Sequence, residues 1–275
     1  MQVAILSGKG GAGKTLLAVN LINLMNGSVF LDCDVEEPNG VFYFSDHFVQ
    51  EPIYNLVPKV NDDLCIHCHQ CLDACQYNAL IDFLGNVKVL PNLCHSCGAC
   101  HLVCPSKAIS ERDELIGWIN HAQVDQHHIY GGQLKIGKET GVKIIESLLE
   151  KVDSSVDSVI DCPPGNGCSV MESIGQADLC VLVAEPTVFG LNNLKMVYEL
   201  TKVFNKKSAI VINKVDHNAQ VIEDFASEYQ IPIIGKIPFN KELALANSNL
   251  EMVSQSKFRS LFEEILHEIR KQVKL

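Results

Sequence analysis

The residues between Gly8 and Thr15 have the types and the spacing that hold the phosphates of a nucleotide. They read Gly-Lys-Gly-Gly-Ala-Gly-Lys-Thr, which fits the pattern G-x-x-x-x-G-K-T. In such a loop backbone N–H groups surround the α- and β-phosphates, Lys14 reaches the β- and γ-phosphate oxygens, and the Thr15 hydroxyl binds Mg²⁺. A glycine-rich turn without a ligand is the alternative. The predicted phosphate-binding residues are Gly8, Gly10, Gly11, Ala12, Gly13, Lys14 and Thr15.

The sequence on both sides of this loop favours the phosphate site over a simple turn. The apolar run 2–6 predicts a short strand before the loop, and the periodic apolar residues of 16–25 predict a helix after it. A second apolar run at 29–31 ends in Asp32 and Asp34. Because ligands of open α/β sheets gather at the carboxyl ends of strands, both aspartates are candidate site residues.

Eight of the twelve cysteines form two copies of one spacing, C-x-x-C-x-x-C-x-x-x-C. Cysteines so arranged in a chain without a signal peptide are better explained as metal ligands than as disulfides. Zinc is an alternative, but a tetrahedral zinc site has no natural use for the third evenly spaced cysteine. The spacing therefore favours iron–sulfur clusters. The two copies are Cys65, Cys68, Cys71, Cys75 and Cys94, Cys97, Cys100, Cys104.

Further apolar runs alternate with helical patterns and predict a doubly wound, mainly parallel α/β sheet with helices on both faces. These runs are 156–160, 179–183, 209–212 and 231–234. We predict that residues 1–57 and 113–275 form one discontinuous domain and that 58–112 are an inserted small α+β module. The glycines of the segment 115–141 suggest a mobile loop.

Composition and charge limit the partners. The formal net charge is −11, and the acidic excess lies almost entirely outside residues 58–112, where four basic and five acidic side chains nearly cancel. An acidic surface disfavours nucleic acid and anionic lipid, so we expect neither nucleic-acid binding nor stable membrane association. The C-terminal residues 258–273 predict an amphipathic helix of mixed charge, which favours packing on the sheet over membrane binding. Without a signal peptide or an apolar span, the chain is expected to be cytoplasmic.

The additional Lys9 gives the deviant loop form K-G-G-x-G-K-T, which resembles the P-loop ATPases of the MinD, ParA and nitrogenase iron protein type. The resemblance extends over 1–34 and 156–239. It implies a MinD-like fold, Mg-ATP as ligand and substrate, and an ATP-dependent dimer in which Lys9 reaches the partner's nucleotide.

The same resemblance implies roles for residues beyond the loop. The run Val159-Ile-Asp-Cys-Pro-Pro-Gly165 resembles the Walker-B strand and switch II, in which Asp161 supports Mg²⁺ and Gly165 faces the γ-phosphate. Asp32 and Asp34 resemble the switch I pair, in which Asp32 supports the metal shell and Asp34 positions the attacking water; a solvated acidic turn is the alternative. Asn213-Lys-Val-Asp216 resembles a base-reading loop, in which Asn213 contacts adenine and Asp216 either contacts it too or only shapes the loop. The implied catalytic residues are Lys9, Lys14, Asp34 and Asp161.

The doubled cysteine spacing resembles the run of bacterial two-cluster ferredoxins, where the fourth cysteine of each run binds the other cluster. The implied ligand sets for two [4Fe–4S] clusters are Cys65, Cys68, Cys71 with Cys104, and Cys94, Cys97, Cys100 with Cys75. Gln76 stands where ferredoxins carry proline after Cys75. Of the other cysteines, Cys33, Cys162 and Cys180 are expected to be ordinary buried thiols, and Cys168 is left open as a metal or sulfur-transfer ligand.

Three functions agree with these features. The first is an ATPase that couples nucleotide state to electron transfer or to assembly of iron–sulfur or other metallocofactors. The second is a spatial switch of the MinD/ParA kind with redox-sensing clusters, and the third is an electron carrier with a vestigial nucleotide site. The expected partners are ATP, a second copy or a paralogue as homodimer or heterodimer, and a redox or metallocofactor-binding protein.

Overall fold

A computed structural model describes residues 1–216 and 218–274 of the chain, and within these ranges it contains eleven strands and nine helices. The strands are β1 (Gln2–Leu6), β2 (Val29–Asp32), β3 (Val49–Val60), β4 (Leu80–Phe83), β5 (Asn86–Val89), β6 (Ile109–Val124), β7 (His127–Leu134), β8 (Ser158–Asp161), β9 (Leu179–Ala184), β10 (Ser208–Val215) and β11 (Ile233–Pro238). The helices are α1 (Lys14–Ile22), α2 (Gln70–Asp73), α3 (Ala99–Leu102), α4 (Val142–Leu149), α5 (Cys168–Ile174), α6 (Val188–Val203), α7 (Gln220–Glu228), α8 (Lys241–Ser248) and α9 (Arg259–Lys274).

Nine of the strands form one sheet in the order β11-β10-β9-β1-β8-β2-β7-β6-β3. The seven strands from β11 to β7 are parallel, whereas β6 and β3 run antiparallel to their neighbours. The central strands are buried on both faces, as parallel strands covered by helices must be. The predicted doubly wound, mainly parallel α/β sheet is confirmed.

Helices cover both faces of this sheet and divide its core in two. One core contains apolar side chains of α4, α5, α6 and α7, and the other contains those of α1, α8 and α9. The C-terminal helix α9 buries Phe262, Ile265, Leu266 and Ile269 against the sheet. Its predicted packing on the sheet is thereby confirmed. No helix among the described residues is long and apolar enough to cross a membrane.

A long two-stranded ribbon connects the sheet to the cysteine-rich residues. β3 pairs with β6 over its whole length, from Val49 opposite His121 to Val60 opposite Ile109. The predicted boundaries of the inserted module, residues 58 and 112, therefore lie within β3 and β6, and these two strands continue from the large sheet into the module. Beyond the ribbon, α2, α3 and the separate β4–β5 hairpin enclose a small core of their own around Cys71, Leu80 and Val87. We call residues 58–112 the cysteine module.

The prediction of a mobile loop at 115–141 was wrong, because most of this segment belongs to strands. β6 continues to Val124, and β7 returns antiparallel to it and parallel to β2. Four of the five glycines in this segment, all except Gly137, are instead required by close packing. A Cβ on Gly117 would lie 2.2 Å from the carbonyl oxygen of Gln133, and one on Gly132 would lie 2.6 Å from a methyl group of Val35.

Candidate functional site

The phosphate loop lies between β1 and α1 and has a backbone that only glycine accepts at two positions. Gly11 and Gly13 have φ of 75° and 100°, in the left-handed region that disfavours other residues. A Cβ on Gly13 would also lie 2.0 Å from the Asn213 side-chain nitrogen, and one on Gly8 would lie 2.3 Å from the Asn193 carbonyl oxygen. These glycines let neighbouring elements approach the loop and leave its N–H groups at the start of α1.

Three carboxylates meet the loop at the carboxyl ends of β2 and β8. Asp32 lies opposite Asp161 in the parallel pairing, and Asp34 follows two residues later. The Thr15 hydroxyl donates a hydrogen bond of 2.6 Å to Asp161 Oδ2. The second oxygen of Asp161 is buried and has no hydrogen-bond partner within the described residues. Lys14, with 6% of its surface exposed, is the cation of this group.

Burial opposes ionisation of all three carboxylates. It raises the pKa of Asp161 to about 6, although Lys14 and Thr15 act against the shift. Burial, together with the charge of Asp161, raises the pKa of Asp32 well above its usual value, and burial raises that of Asp34. Hydroxyl and carboxylate oxygens are the ligands that Mg²⁺ prefers, and a divalent cation would offset the repulsion between the negative charges of these carboxylates. The group therefore fits Mg²⁺ held by Thr15 and supported by Asp161.

We expect Asp161→Asn to stabilise the protein without Mg²⁺ by roughly 1–3 kcal/mol at pH 8. Because the folded-state pKa lies above the unfolded value of 3.8, the charged carboxylate lowers stability fully above about pH 6 and not below about pH 4. The difference in the free energy of unfolding between the variant and the wild type should therefore shrink as the pH falls from about 6 to about 4. Urea unfolding in EDTA measures it; an equal difference at pH 4 and pH 8 would contradict the electrostatic cause. Added Mg-ATP should stabilise the wild type alone.

Lys9, the lysine of the deviant motif, makes contacts within its own chain. Its ammonium lies 2.5 Å from Glu185 Oε2 and over the ring of Phe189 at 5.3 Å. Lys214 occupies the other oxygen of Glu185 at 2.6 Å and also donates to the Gly11 carbonyl at 2.8 Å. The sequence reasoning did not select Glu185 or Lys214. Lys214 lies inside the noted 213–216 run, and Glu185 directly follows the apolar strand β9, which is the signal that could have identified it.

The remaining predicted nucleotide residues lie around the same loop. Gly165 has φ of 94° and donates its N–H to the Ser7 carbonyl at 3.0 Å. The Asn213 amide donates to the Ala12 carbonyl at 2.8 Å and accepts from the Lys214 N–H, so its side chain braces the phosphate loop. Asp216 follows the end of β10. Contact of Asn213 or Asp216 with adenine stays a prediction.

The eight clustered cysteines line two separate recesses of the cysteine module. One recess is lined by Cys65, Cys68, Cys71 and Cys104, and a second by Cys75, Cys94, Cys97 and Cys100. The fourth cysteine of each run thus lies with the first three of the other run. These are the same two groups that the ferredoxin resemblance implies.

The two recesses are built by the same backbone, repeated after 29 residues. The helices α2 and α3 are related by this interval, and so are three pairs of residues with positive φ: His67 and Ser96, His69 and Gly98, Asn78 and Lys107. The thiol of Cys75 accepts a backbone hydrogen bond from Ala79 at 3.3 Å, and that of Cys104 accepts one from Ala108 at 3.2 Å. Such N–H donors stabilise the negative charge of a cluster thiolate.

In residues 1–216 and 218–274, no three His, Cys, Asp or Glu side chains lie close enough to hold a single metal ion. Thiolates around one zinc ion must converge on a point at about 2.3 Å each. In a [4Fe–4S] cluster each thiolate binds a different iron atom, so the four thiolates lie farther apart than those around one zinc ion. Each recess brings four cysteines together, the ligand number of one [4Fe–4S] cluster.

The other cysteines and the nearby histidines have ordinary surroundings. Cys33, Cys162 and Cys180 are buried as expected, and Cys168 is exposed at the start of α5. Among the histidines, His69 pairs with Asp82 at 2.9 Å, and His101 contacts the Ile109 carbonyl at 2.7 Å.

Comparison with known proteins places this geometry in a family. The family model for the CobQ/CobB/MinD/ParA nucleotide binding domain matches residues 3–253. The chain belongs to this family. The match includes the phosphate loop, the three carboxylates and the sheet that positions them, so a nucleotide-binding domain of MinD/ParA type accounts for this end of the molecule.

Three individual proteins are similar to this chain or to part of it. An uncharacterized protein of Methanocaldococcus jannaschii is 34% identical over 279 residues, which cover 98% of this chain and 96% of the relative. The septum site-determining protein MinD of Pyrococcus horikoshii, solved with Mg-ADP, has a similar fold with a TM-score of 0.60 at 16% identity, over 98% of this chain and 96% of that one. A ferredoxin of Pyrobaculum islandicum is 39% identical over 56 residues, 20% of this chain and 52% of the ferredoxin.

Proposed function

We propose that this family member is an ATP-hydrolysing iron–sulfur protein that couples its nucleotide state to electron transfer or to the assembly of iron–sulfur or other metallocofactors. The observation that carries the proposal is the connection between two sites. β2 ends at Asp32 beside the phosphate loop, and the next strand, β3, leads directly into the module with the two four-cysteine recesses.

At the nucleotide end, each residue has a role that follows from its position. Lys14 and the loop N–H groups would bind the phosphates, and Thr15 with Asp161 would hold Mg²⁺. Asp34, whose pKa is raised by burial, would orient the attacking water and accept its proton. Lys9 would leave Glu185 and reach the nucleotide of a second copy or of a paralogue.

At the other end, Cys65, Cys68, Cys71 and Cys104 would hold one [4Fe–4S] cluster, and Cys94, Cys97, Cys100 and Cys75 the other. When bound, the clusters supply one-electron transfer. The chain's own contribution is to line the first recess with Val60, Val87 and Ile109 and to donate a backbone hydrogen bond to one thiolate in each recess. A redox or metallocofactor-binding protein would then be the partner at this end.

The test is ATP hydrolysis by anaerobically purified protein with its clusters oxidised and then reduced by dithionite. We expect turnover to change by about fivefold between the two states, since a coupling free energy of about 1 kcal/mol gives this factor. Lys14→Ala serves as the blank. Equal turnover in both states would contradict the coupling but not the ATPase, and turnover no higher than the blank would contradict the ATPase itself.

A further inference from the structure

The glycine-rich residues 131–141, named here the glycine segment, touch both the nucleotide end and the cysteine module. They comprise the end of β7 and the turn before α4. Neither the phosphate chemistry nor the cluster chemistry uses them directly. Close contacts nevertheless account for three of its four glycines, Gly131, Gly132 and Gly141, and a φ of 85° accounts for Gly137.

Three of these glycines pack against two valines, Val35 and Val41, of the segment that follows Asp32. Val35, next to Asp34, is 3% exposed and packs where side chains on Gly132 or Gly141 would stand. A Cβ on Gly141 would lie 2.3 Å from a methyl group of Val35. A Cβ on Gly131 would lie 2.4 Å from a methyl group of Val41. Both valines therefore pack directly against the backbone of the glycine segment, so a displacement of either one would be felt there.

Hydrogen bonds join the same two pieces of chain. The Leu134 N–H donates to the Val35 carbonyl at 2.8 Å. On the carboxylate side, the N–H of Gly40, which precedes Val41, donates to Asp32 Oδ2 at 2.7 Å. The two ends of segment 32–41 are thus joined to each other through the Asp32 carboxylate, and Val35 within the segment is joined to β7. Loss or gain of a γ-phosphate and Mg²⁺ beside Asp32 and Asp34 would act on it first.

Through Lys138, the far end of the glycine segment contacts the chain two residues before Cys94, which lines the second cysteine recess. The turn at Gly137, with φ of 85°, directs the Lys138 ammonium to Asn92 Oδ1 at 3.1 Å and to Glu114 Oε1 at 2.9 Å. Its side chain is only 9% exposed. Asn92 belongs to the short helical turn Pro91–Leu93, immediately before Cys94. The lysine therefore joins the start of the second cysteine run to the nucleotide domain.

From these contacts we propose that the glycine segment transmits movement of residues 32–41 to the second cysteine recess, with Lys138 as the positioning residue at the module. The inference rests on the proposed function, which it deepens by naming the coupling element. The contacts run without a break from Asp34 through Val35 and Leu134 to Lys138 and Asn92. Such a contiguous set of packed and hydrogen-bonded groups is a physical route by which two sites can share one conformational equilibrium.

The test is hydrogen–deuterium exchange on the full-length, cluster-loaded protein with Mg²⁺ and a non-hydrolysable ATP analogue. In the wild type, the analogue should slow exchange by about fivefold in peptides covering 32–41 and also in those covering 89–98. In Lys138→Met, which keeps the aliphatic stem, slowing should persist in 32–41 and disappear in 89–98. Lys135→Met, at an exposed lysine of the same turn, is the matched control and should behave as the wild type.

Two results would overturn the inference while the proposed function stands: slowing confined to 32–41 in the wild type, or undiminished slowing at 89–98 in Lys138→Met. If the analogue changes neither region, nucleotide binding and the inference fail together.

Iron content checks that the clusters persist in each variant. Should Lys138→Met lose them, Asn92→Ala removes the same link from the other side and is expected to give the same loss at 89–98. Lys138→Arg should restore the wild-type response.

Discussion

Lys14→Ala is expected to abolish ATP binding at micromolar nucleotide and to lower hydrolysis by about 100-fold or more. Burial raises the pKa of Asp161 and Asp34, and the charge of the nearly buried Lys14 partly offsets this rise at both carboxyls. Without it, the phosphates of ATP would meet three acidic side chains and only the loop N–H groups. Binding of a fluorescent ATP analogue and release of phosphate measure the two effects separately.

Lys9→Ala is the matched control, because it removes a lysine of the same loop that points elsewhere. The Lys9 ammonium contacts Glu185 rather than the three carboxylates. We therefore expect this variant to bind ATP within about threefold of the wild type and to lose ATP-dependent dimerisation. If Lys14→Ala retained wild-type affinity, or if both variants lost binding equally, the assignment of Lys14 to the phosphates would be contradicted.

The features that sequence alone could predict are those whose causes are local. The glycines of the phosphate loop, the apolar run of β1 and the periodic residues of α1 are adjacent in the chain, so one short segment carries the whole signal. Asp32 and Asp161 could be expected at one edge because both end buried strands, and parallel strands share an edge. The cysteine spacing was equally informative for the two runs, since each run lies in one short segment, and the ferredoxin resemblance implied that the fourth cysteine of each run joins the other group.

The features that sequence could not predict arise from packing between distant residues. Gly132 and Gly141 appeared to indicate mobility, because nothing near them in the chain shows that Val35 occupies their missing side-chain space. Lys138 is one of many surface-type lysines until the fold brings it to Asn92, 46 residues away. The contact of Lys9 with Glu185 spans 176 residues. Composition and periodicity contain no information about such pairs.

Replacement of cysteines in pairs gives the second large effect, because it reports which thiols share a cluster. The single variants are the reference. Cys104→Ala and Cys75→Ala each remove one ligand from one [4Fe–4S] cluster, so each should lower the iron content from about eight to about four atoms per chain. Cys168→Ala, at the exposed cysteine outside both recesses, is the control and should retain about eight. Iron analysis and the visible absorbance of anaerobic protein provide the measurement.

The double variants separate the two possible pairings. Because Cys71 and Cys104 line the same recess, Cys71→Ala with Cys104→Ala should damage one cluster only and keep about four iron atoms. Cys71→Ala with Cys75→Ala removes a ligand from each recess and should leave almost none. If each run instead bound its own cluster, the two results would be exchanged. Retention of zinc rather than iron in the wild type would contradict both pairings, since eight thiolates around two cubanes leave no tetrahedral site for a single ion.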